Sequence, residues 1–160
     1  MAGKILSDDS DELFVLETKS TTSETKTVRV EIHDFTNKIE DEKNKKKPID
    51  SPTFKIVGKK LAIRVYPEET REDSTGVGFY LRNLNEEQIT VTATFIVTGC
   101  LGEMSLIKRE INPGVGLGWP CFLTHEEYKK ASELNGDIFK LKVKVNLHFS
   151  ENQSGWTIKG

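Results

Sequence analysis

Apolar and polar residues alternate one by one along most of this chain, and the alternation stops at turn residues. In SPTFKIVGKKLAIRVYP, residues 51–67, Phe54 and Ile56 alternate with polar positions up to a hinge at Gly58. Leu61, Ile63 and Val65 then alternate with Ala62, Arg64 and Tyr66 as far as Pro67. A period of two bounded by turn residues predicts an antiparallel hairpin with one buried face. The same period runs through TVRVEI, where Val28, Val30 and Ile32 oppose Arg29 and Glu31. It returns in GVGFYLRNL, with Val77, Phe79 and Leu81 on one face and Tyr80 and Arg82 on the other. VTATFIVTGC is a strand interleaved with threonine, and MSLIKREI is a further strand of weaker alternation. The clearest strand is FKLKVKVNLHF. Phe139, Leu141, Val143, Val145, Leu147 and Phe149 point inward there, and Lys140, Lys142, Lys144, Asn146 and His148 outward.

One segment breaks the rhythm. THEEYKKASELNG predicts a helix: Thr124 and Glu127 have the spacing of a capping box, Leu123 and Tyr128 that of a hydrophobic staple, and Asn135-Gly136 supplies a left-handed stop. Between these elements, KIEDEKNKKKPID reads as a solvated charged loop closed by Pro48, PEETREDSTG as a polar connection, NEEQ as a turn and NPGVGLGWP as a glycine-rich loop. Residues 1–26 are acidic and rich in Ser and Thr, and hold too little apolar surface to offset their ordering entropy, so a flexible arm is expected. Leu13-Phe14-Val15-Leu16 interrupts that arm and either docks on the body or adds a strand; the sequence does not choose. Short antiparallel strands, one short helix and no βαβ rhythm predict an all-β antiparallel sandwich over residues 27–149, with a tail at 150–160.

A chain of 160 residues fits one domain, with about 68–70% of the unfolded surface buried. A net charge of −2 gives no overall attraction to nucleic acid or anionic membranes, and the lysine run at 43–47 lacks the interleaved aromatics of a nucleic-acid surface. No apolar run approaches the ~20 residues that span a bilayer, and the first residues turn acidic too early for a secretory signal. Cys100 and Cys121 have no metal-ligand spacing; they allow a disulfide, but read first as two free thiols of a reducing compartment, the cytoplasm or nucleus. The Asn152-Gln153-Ser154 sequon has meaning only in a secreted chain.

Taken in order, a strand closing on IHDFT, the 51–67 hairpin, GFYL, VTATF, GWPCFLTHEEY with its helix, and the final LKVKVNL resemble the MATH domain, the meprin and TRAF homology or TRAF-like family, over roughly residues 27–149. The resemblance implies an eight-stranded antiparallel sandwich that recognises short linear peptides, often Ser/Thr-rich, in a shallow groove on one sheet by strand addition. It implies an adaptor or substrate-recognition role, in ubiquitin pathways among others. It places Tyr80, Phe95 and Trp119 at groove positions, and Cys121 near a further groove aromatic. The residue pattern agrees for Tyr80, which it turns away from the core. It opposes a groove role for Phe95, which shares its parity with Val91, Ala93 and Val97, unless a bulge intervenes. Trp119, in a glycine-rich stretch, is either an anchor or a plug.

The chain also departs from the family. Val30 and Leu61 stand where tryptophans are common, Gly116-Leu117-Gly118 replaces polar residues, and the stretch from Trp119 to Phe122 is short, so no ligand motif carries over. No coiled-coil heptads are present, and a monomer is expected. His33, His125 and His148 fit no metal or nucleophile motif, so no catalytic residue, metal or cofactor is assigned. A carbohydrate-binding sandwich of jelly-roll type is the alternative, since exposed aromatics also stack on sugars. The expected partners are peptide segments of other proteins, without nucleic acid or membrane. Self-association is a further expectation, through TKSTTSETKT of the arm occupying a groove.

Overall fold

The computed structural model describes residues 23–99 and 103–149. Eleven elements follow in order: β1 (Ser23–His33), α1 (Phe35–Glu40), β2 (Ile49–Asp50), β3 (Phe54–Ile56), β4 (Lys59–Arg71), β5 (Ser74–Asn83), β6 (Ile89–Val97), β7 (Met104–Ile111), β8 (Gly116–Thr124), α2 (His125–Asn135) and β9 (Ile138–His148). The strands form two antiparallel sheets. Sheet one has the order β1-β9-β6-β7, and sheet two the order β2-β4-β5-β8, with β3 also on β4. The all-β sandwich expected from the alternation is what the chain adopts.

Period-two burial builds the core between the sheets. In β6, Ile89, Val91, Ala93, Phe95 and Val97 are buried, and in β9 so are Phe139, Leu141, Val143, Val145 and Leu147. Sheet two answers with Leu61, Ile63 and Val65 of β4 and Val77, Phe79 and Leu81 of β5. Residues Val57 and Gly58 of the β3–β4 turn both have positive φ, as the hinge at Gly58 required.

Several local expectations give way, each for a visible reason. Pro67 does not end its strand: β4 runs on to Arg71, because the ladder slips between Tyr66 and Glu69. Pro67 sits in that bulge, where a missing N–H removes no ladder bond, and the Glu68 N–H donates instead to the Lys45 carbonyl (2.9 Å). PEETREDSTG is thus the tip of a β4–β5 hairpin with few apolar side chains to reveal its period. Gly116–Pro120 is strand and not loop. β7 alternates weakly because the register slips between Val91 and Ala93, so that Leu106 and Ile111 are both buried while Ile107 is exposed. A second helix, α1, takes the start of the expected charged loop. β1 includes Ser23–Thr27, so strand pairing reaches into the segment expected to be a flexible arm. Ser23–Thr27 of the arm's TKSTTSETKT therefore pairs with β9 and is committed to sheet one.

The helical end of the sandwich is tied together by Asp137. The α2 capping box is present, with the Glu127 N–H donating to Thr124 Oγ1 (3.0 Å) and the Thr124 N–H to Glu127 Oε1 (2.8 Å), and Leu123 and Tyr128 are buried beneath it. Gly136, at positive φ, closes the helix by donating to the Ser132 carbonyl. The Asp34 side chain makes no cap hydrogen bond to α1; the Asp137 carboxylate arrives from the start of β9 instead. It accepts from the Thr36 N–H (3.0 Å), Thr36 Oγ1 (2.7 Å) and Tyr128 Oη (2.9 Å). Phe35 packs on Tyr128 and Phe139 alongside, each at a 4.9 Å ring separation.

Burial raises the Asp137 carboxyl pKa, but the bonds from Thr36 and Tyr128 outweigh it and hold the group below the usual carboxylate range. A pKa depressed on folding contributes stability that is full above the unfolded value, near 4, and is lost as pH falls through the folded value. Asp137→Asn is expected to lower the melting midpoint at pH 7 by about 2–4 °C, on the order of 1 kcal/mol, and to narrow its gap to wild type below about pH 4. Thermal melts from pH 2 to pH 7 check this; a gap that does not change with pH would contradict it.

Candidate functional site

β8 is the outer strand of sheet two, and its far side pairs with no strand among the described residues. Its partner β5 fixes which residues share each face. Tyr80 lies opposite Gly118 and Arg82 opposite Gly116, while Phe79 lies opposite Trp119 and Leu81 opposite Leu117. β4 completes the outer face, with Arg64 opposite Tyr80 and Tyr66 opposite Gly78. The outer face at this edge thus carries two tyrosines and two arginines beside two glycines.

Tyr80 faces outward, as its parity predicted. Its half-buried ring meets Tyr66 edge-on at 5.9 Å, and its hydroxyl donates to the Glu69 carboxylate, with both oxygens at 2.8 Å. Burial and then the Glu69 carboxylate push the Tyr80 phenol well above its ordinary pKa, so it stays a neutral donor. The Glu69 carboxylate lies over Gly78, where a Cβ would overlap Oε1. Arg64 makes a two-pronged bond to Asp50 (2.7 and 3.0 Å), and Arg82 donates to the Gly114 carbonyl (3.1 Å). Both guanidiniums are thus engaged by named partners, Asp50 and the Gly114 carbonyl.

Cys121 is a half-buried free thiol with φ 53°, set where β8 bulges across from Gly78. Its Sγ donates to the Glu69 carbonyl (3.0 Å) and lies 3.3 Å from the Ser74 carbonyl. Glu69 therefore joins Tyr80 to Cys121: its carboxylate holds the first and its carbonyl the second. Glu69 is the residue that sequence reasoning missed, because PEETREDSTG shows no apolar alternation.

The other two expected positions lie beneath this face. Phe95 is fully buried, stacked on Phe79 at 5.3 Å. The parity reading is the correct one, and the slip in β6 falls between Val91 and Ala93 and leaves Phe95 inward. A ring without exposure has no surface to offer a ligand, so Phe95 supports the sheet from inside. Trp119 is half-buried and turns its ring edge-on to Phe95 (5.1 Å) and Phe79 (6.1 Å), while Phe122 closes the other side of Phe79 at 4.7 Å. Trp119 is thus a plug at the sandwich edge that keeps part of its ring accessible.

The three histidines are occupied structurally. His33 lies 3.6 Å from Glu31, His125 Nε2 is 2.9 Å from the Pro67 carbonyl, and His148 Nε2 is 2.8 Å from Thr92 Oγ1. Burial, then Lys108, lowers the His148 pKa. Among the described residues no group of three His, Cys, Asp or Glu side chains could hold a metal ion, and no helix is long and apolar enough to cross a membrane. Cys100 and the 152–154 sequon lie outside the described residues.

The chain is thus a two-sheet antiparallel sandwich whose strand β8 has no partner on its far side among the described residues. The family model for the MATH domain matches residues 27–145, and the chain belongs to that family. MATH domains are in general protein-interaction modules and typically non-enzymatic. No curated protein matches the chain. Among solved structures, the Salmonella enterica trimeric lipoprotein SadB aligns at 13% identity and a TM-score of 0.35, over 72% of this chain and 69% of its own; that likeness is too weak to inform fold or function.

The glycines of β8 are a packing requirement. A Cβ at Gly118 would overlap the Phe79 carbonyl oxygen, whereas one at Gly116 would meet the Arg82 and Tyr80 side chains at 3.2–3.3 Å and the Leu81 carbonyl oxygen at an ordinary 3.5 Å. Gly118→Ala is expected to destabilise by about 1–3 kcal/mol as backbone is pushed apart, and Gly116→Ala by clearly less. Urea melts of both variants decide it, and equal losses would contradict the assigned close approach.

Proposed function

We infer that this domain binds an extended peptide segment of another protein along the free edge of β8, with Tyr80 as a central contact on the adjoining outer face. One observation carries the reading: β8 is an edge strand with no partner on its far side among the described residues, and its outward positions opposite Tyr80 and Arg82 are glycines. An incoming strand takes its affinity from main-chain bonds to such an edge, and its specificity from side chains that reach the neighbouring face. With no side chain at Gly116 and Gly118, ligand residues reach the flanks of Tyr80 and Arg82 directly. Small hydroxyl-bearing residues suit this shallow surface, so Ser/Thr-rich segments are the expected ligands. The accessible part of Trp119 and the Cys121 thiol border it. Such binding would serve an adaptor or a substrate-recognition subunit.

A peptide array of Ser/Thr-rich segments, probed with wild type and Tyr80→Ala, tests the reading. Loss of the half-buried ring is expected to weaken binding about tenfold or more. A melting comparison on the same samples separates that loss from unfolding. Equal binding by a folded Tyr80→Ala protein would overturn the assignment of this face.

A further inference from the structure

On the opposite side of the sandwich, β1 is the terminal strand of sheet one, and a groove of about 420 Å³ runs between it and residues 49–54. Val28, Val30, Ile49 and Phe54 give the groove an apolar lining, and Val30, Ile49 and Phe54 are only partly buried although they pack against the core. Past Glu31 and Ile32 it continues into a second hollow of about 600 Å³, where Lys38 and Lys47 stand beside His33, Asn44 and Pro48. One trough along β1 is therefore apolar at its Val28 end and charged at its Lys47 end, where Lys38 and Lys47 stand with Glu31 and Asp41.

The acids nearby are mostly engaged. Asp50 is paired with Arg64, Glu40 with Lys129, and Glu42 and Glu68 with Lys45. Asp41 accepts from Asn44 and from the Lys43 N–H within its own turn, and these bonds, with a smaller contribution from the Lys38 charge, hold its carboxyl below the usual range. Glu31 is turned to His33. Lys38 and Lys47, both exposed, have no carboxylate within ion-pair distance among the described residues.

The chain before Ser23 has the complementary pattern in reverse. Asp8, Asp9, Asp11 and Glu12 form an acidic block, Leu13–Leu16 an apolar block, and Glu17–Thr22 a polar connection to β1. The seven steps from Leu16 to Ser23 span up to about 23–25 Å, and the five from Ser23 to Val28 cover about 17 Å of strand. A chain that reverses in this connection can bring Leu16 beside Val28 and run Leu13–Leu16 antiparallel to Val28–Glu31. The acidic block then falls beside Lys38 and Lys47. A single alignment matches apolar to apolar and acidic to basic.

We propose that residues 8–16 fold back along β1 of the same molecule as a fifth strand of sheet one, with Leu13–Leu16 filling the apolar groove and the acidic block meeting Lys38 and Lys47. Phe14 and Leu16 share a parity, and in this alignment they oppose Val30 and Val28 and enter the groove together. The docked arm caps an edge that would otherwise template pairing with other chains. Salt weakens the acidic half of the contact and leaves the apolar half in place.

Amide hydrogen exchange on the full chain tests the proposal, comparing wild type with Phe14→Ser/Leu16→Ser. The readout is the alternate amides of Val28–Ile32 that do not bond β9, with the β6 amides as the internal control. At least tenfold faster exchange at these positions, with β6 unchanged and the same result at 1 and 100 µM protein, is expected. Lys38→Glu/Lys47→Glu should also speed them, and adding Asp8→Lys/Asp9→Lys/Asp11→Lys to it should restore protection. Unchanged exchange in the Phe14/Leu16 variant would overturn the docked strand. Protection that appears only at the higher concentration would overturn the same-molecule assignment in favour of a second copy's arm.

Discussion

The contact on which this molecule turns is the stack of Phe79 on Phe95. Phe79 belongs to sheet two and Phe95 to sheet one, and both are fully buried, so their 5.3 Å approach joins the two layers at mid-core. Trp119 and Phe122 close around Phe79 from the edge strand. Aromatic pairs of this kind add about 0.5–1.5 kcal/mol to their area burial, and their rigid rings fix the spacing of the layers. Everything on the outer face of sheet two inherits its position from this cluster. Tyr80 is the residue after Phe79, and Gly118 the one before Trp119, so inward anchoring of the aromatics obliges Tyr80 and the glycine edge to face outward.

Two bulges then shape what the anchored face presents. The slip between Tyr66 and Glu69 swings Glu69 over Gly78, where its carboxylate holds the Tyr80 hydroxyl. The bulge of β8 opposite Gly78 forces Cys121 to positive φ and aims its thiol at the Glu69 carbonyl. A tyrosine fixed by a bond to a carboxylate keeps one orientation and loses less side-chain entropy on binding. The fixed Tyr80 hydroxyl and the Cys121 thiol aimed at Glu69 are therefore products of the two irregularities in the ladder.

Legibility in the sequence followed the contrast between neighbours. β6, β9 and the first half of β4 alternate strongly and were readable residue by residue, as were the α2 capping box and its Gly136 stop. Phe95 shows parity outperforming a family correspondence, for its own strand declared it a core residue. The second half of β4 and the glycine half of β8 were hidden. In the first, Glu and Thr occupy both faces. In the second, burial comes from backbone approach, and a glycine has no side chain to register it. Glu69 could be recognised only once the bulge at Pro67 was seen, and α1 only once Asp137, a hundred residues on, supplied its cap.

The sandwich thus places a packed interior behind the β8 edge, and the role we propose for that edge is to bind extended segments of other proteins. The most direct measurement of that central claim is an NMR titration of the ¹⁵N-labelled full chain with a Ser/Thr-rich peptide that it binds. Shifted amides concentrated in β5 and β8, with Tyr80, Gly116 and Gly118 foremost, are the predicted result. Shifts confined to β1, β9 and β6 of the opposite sheet would contradict it.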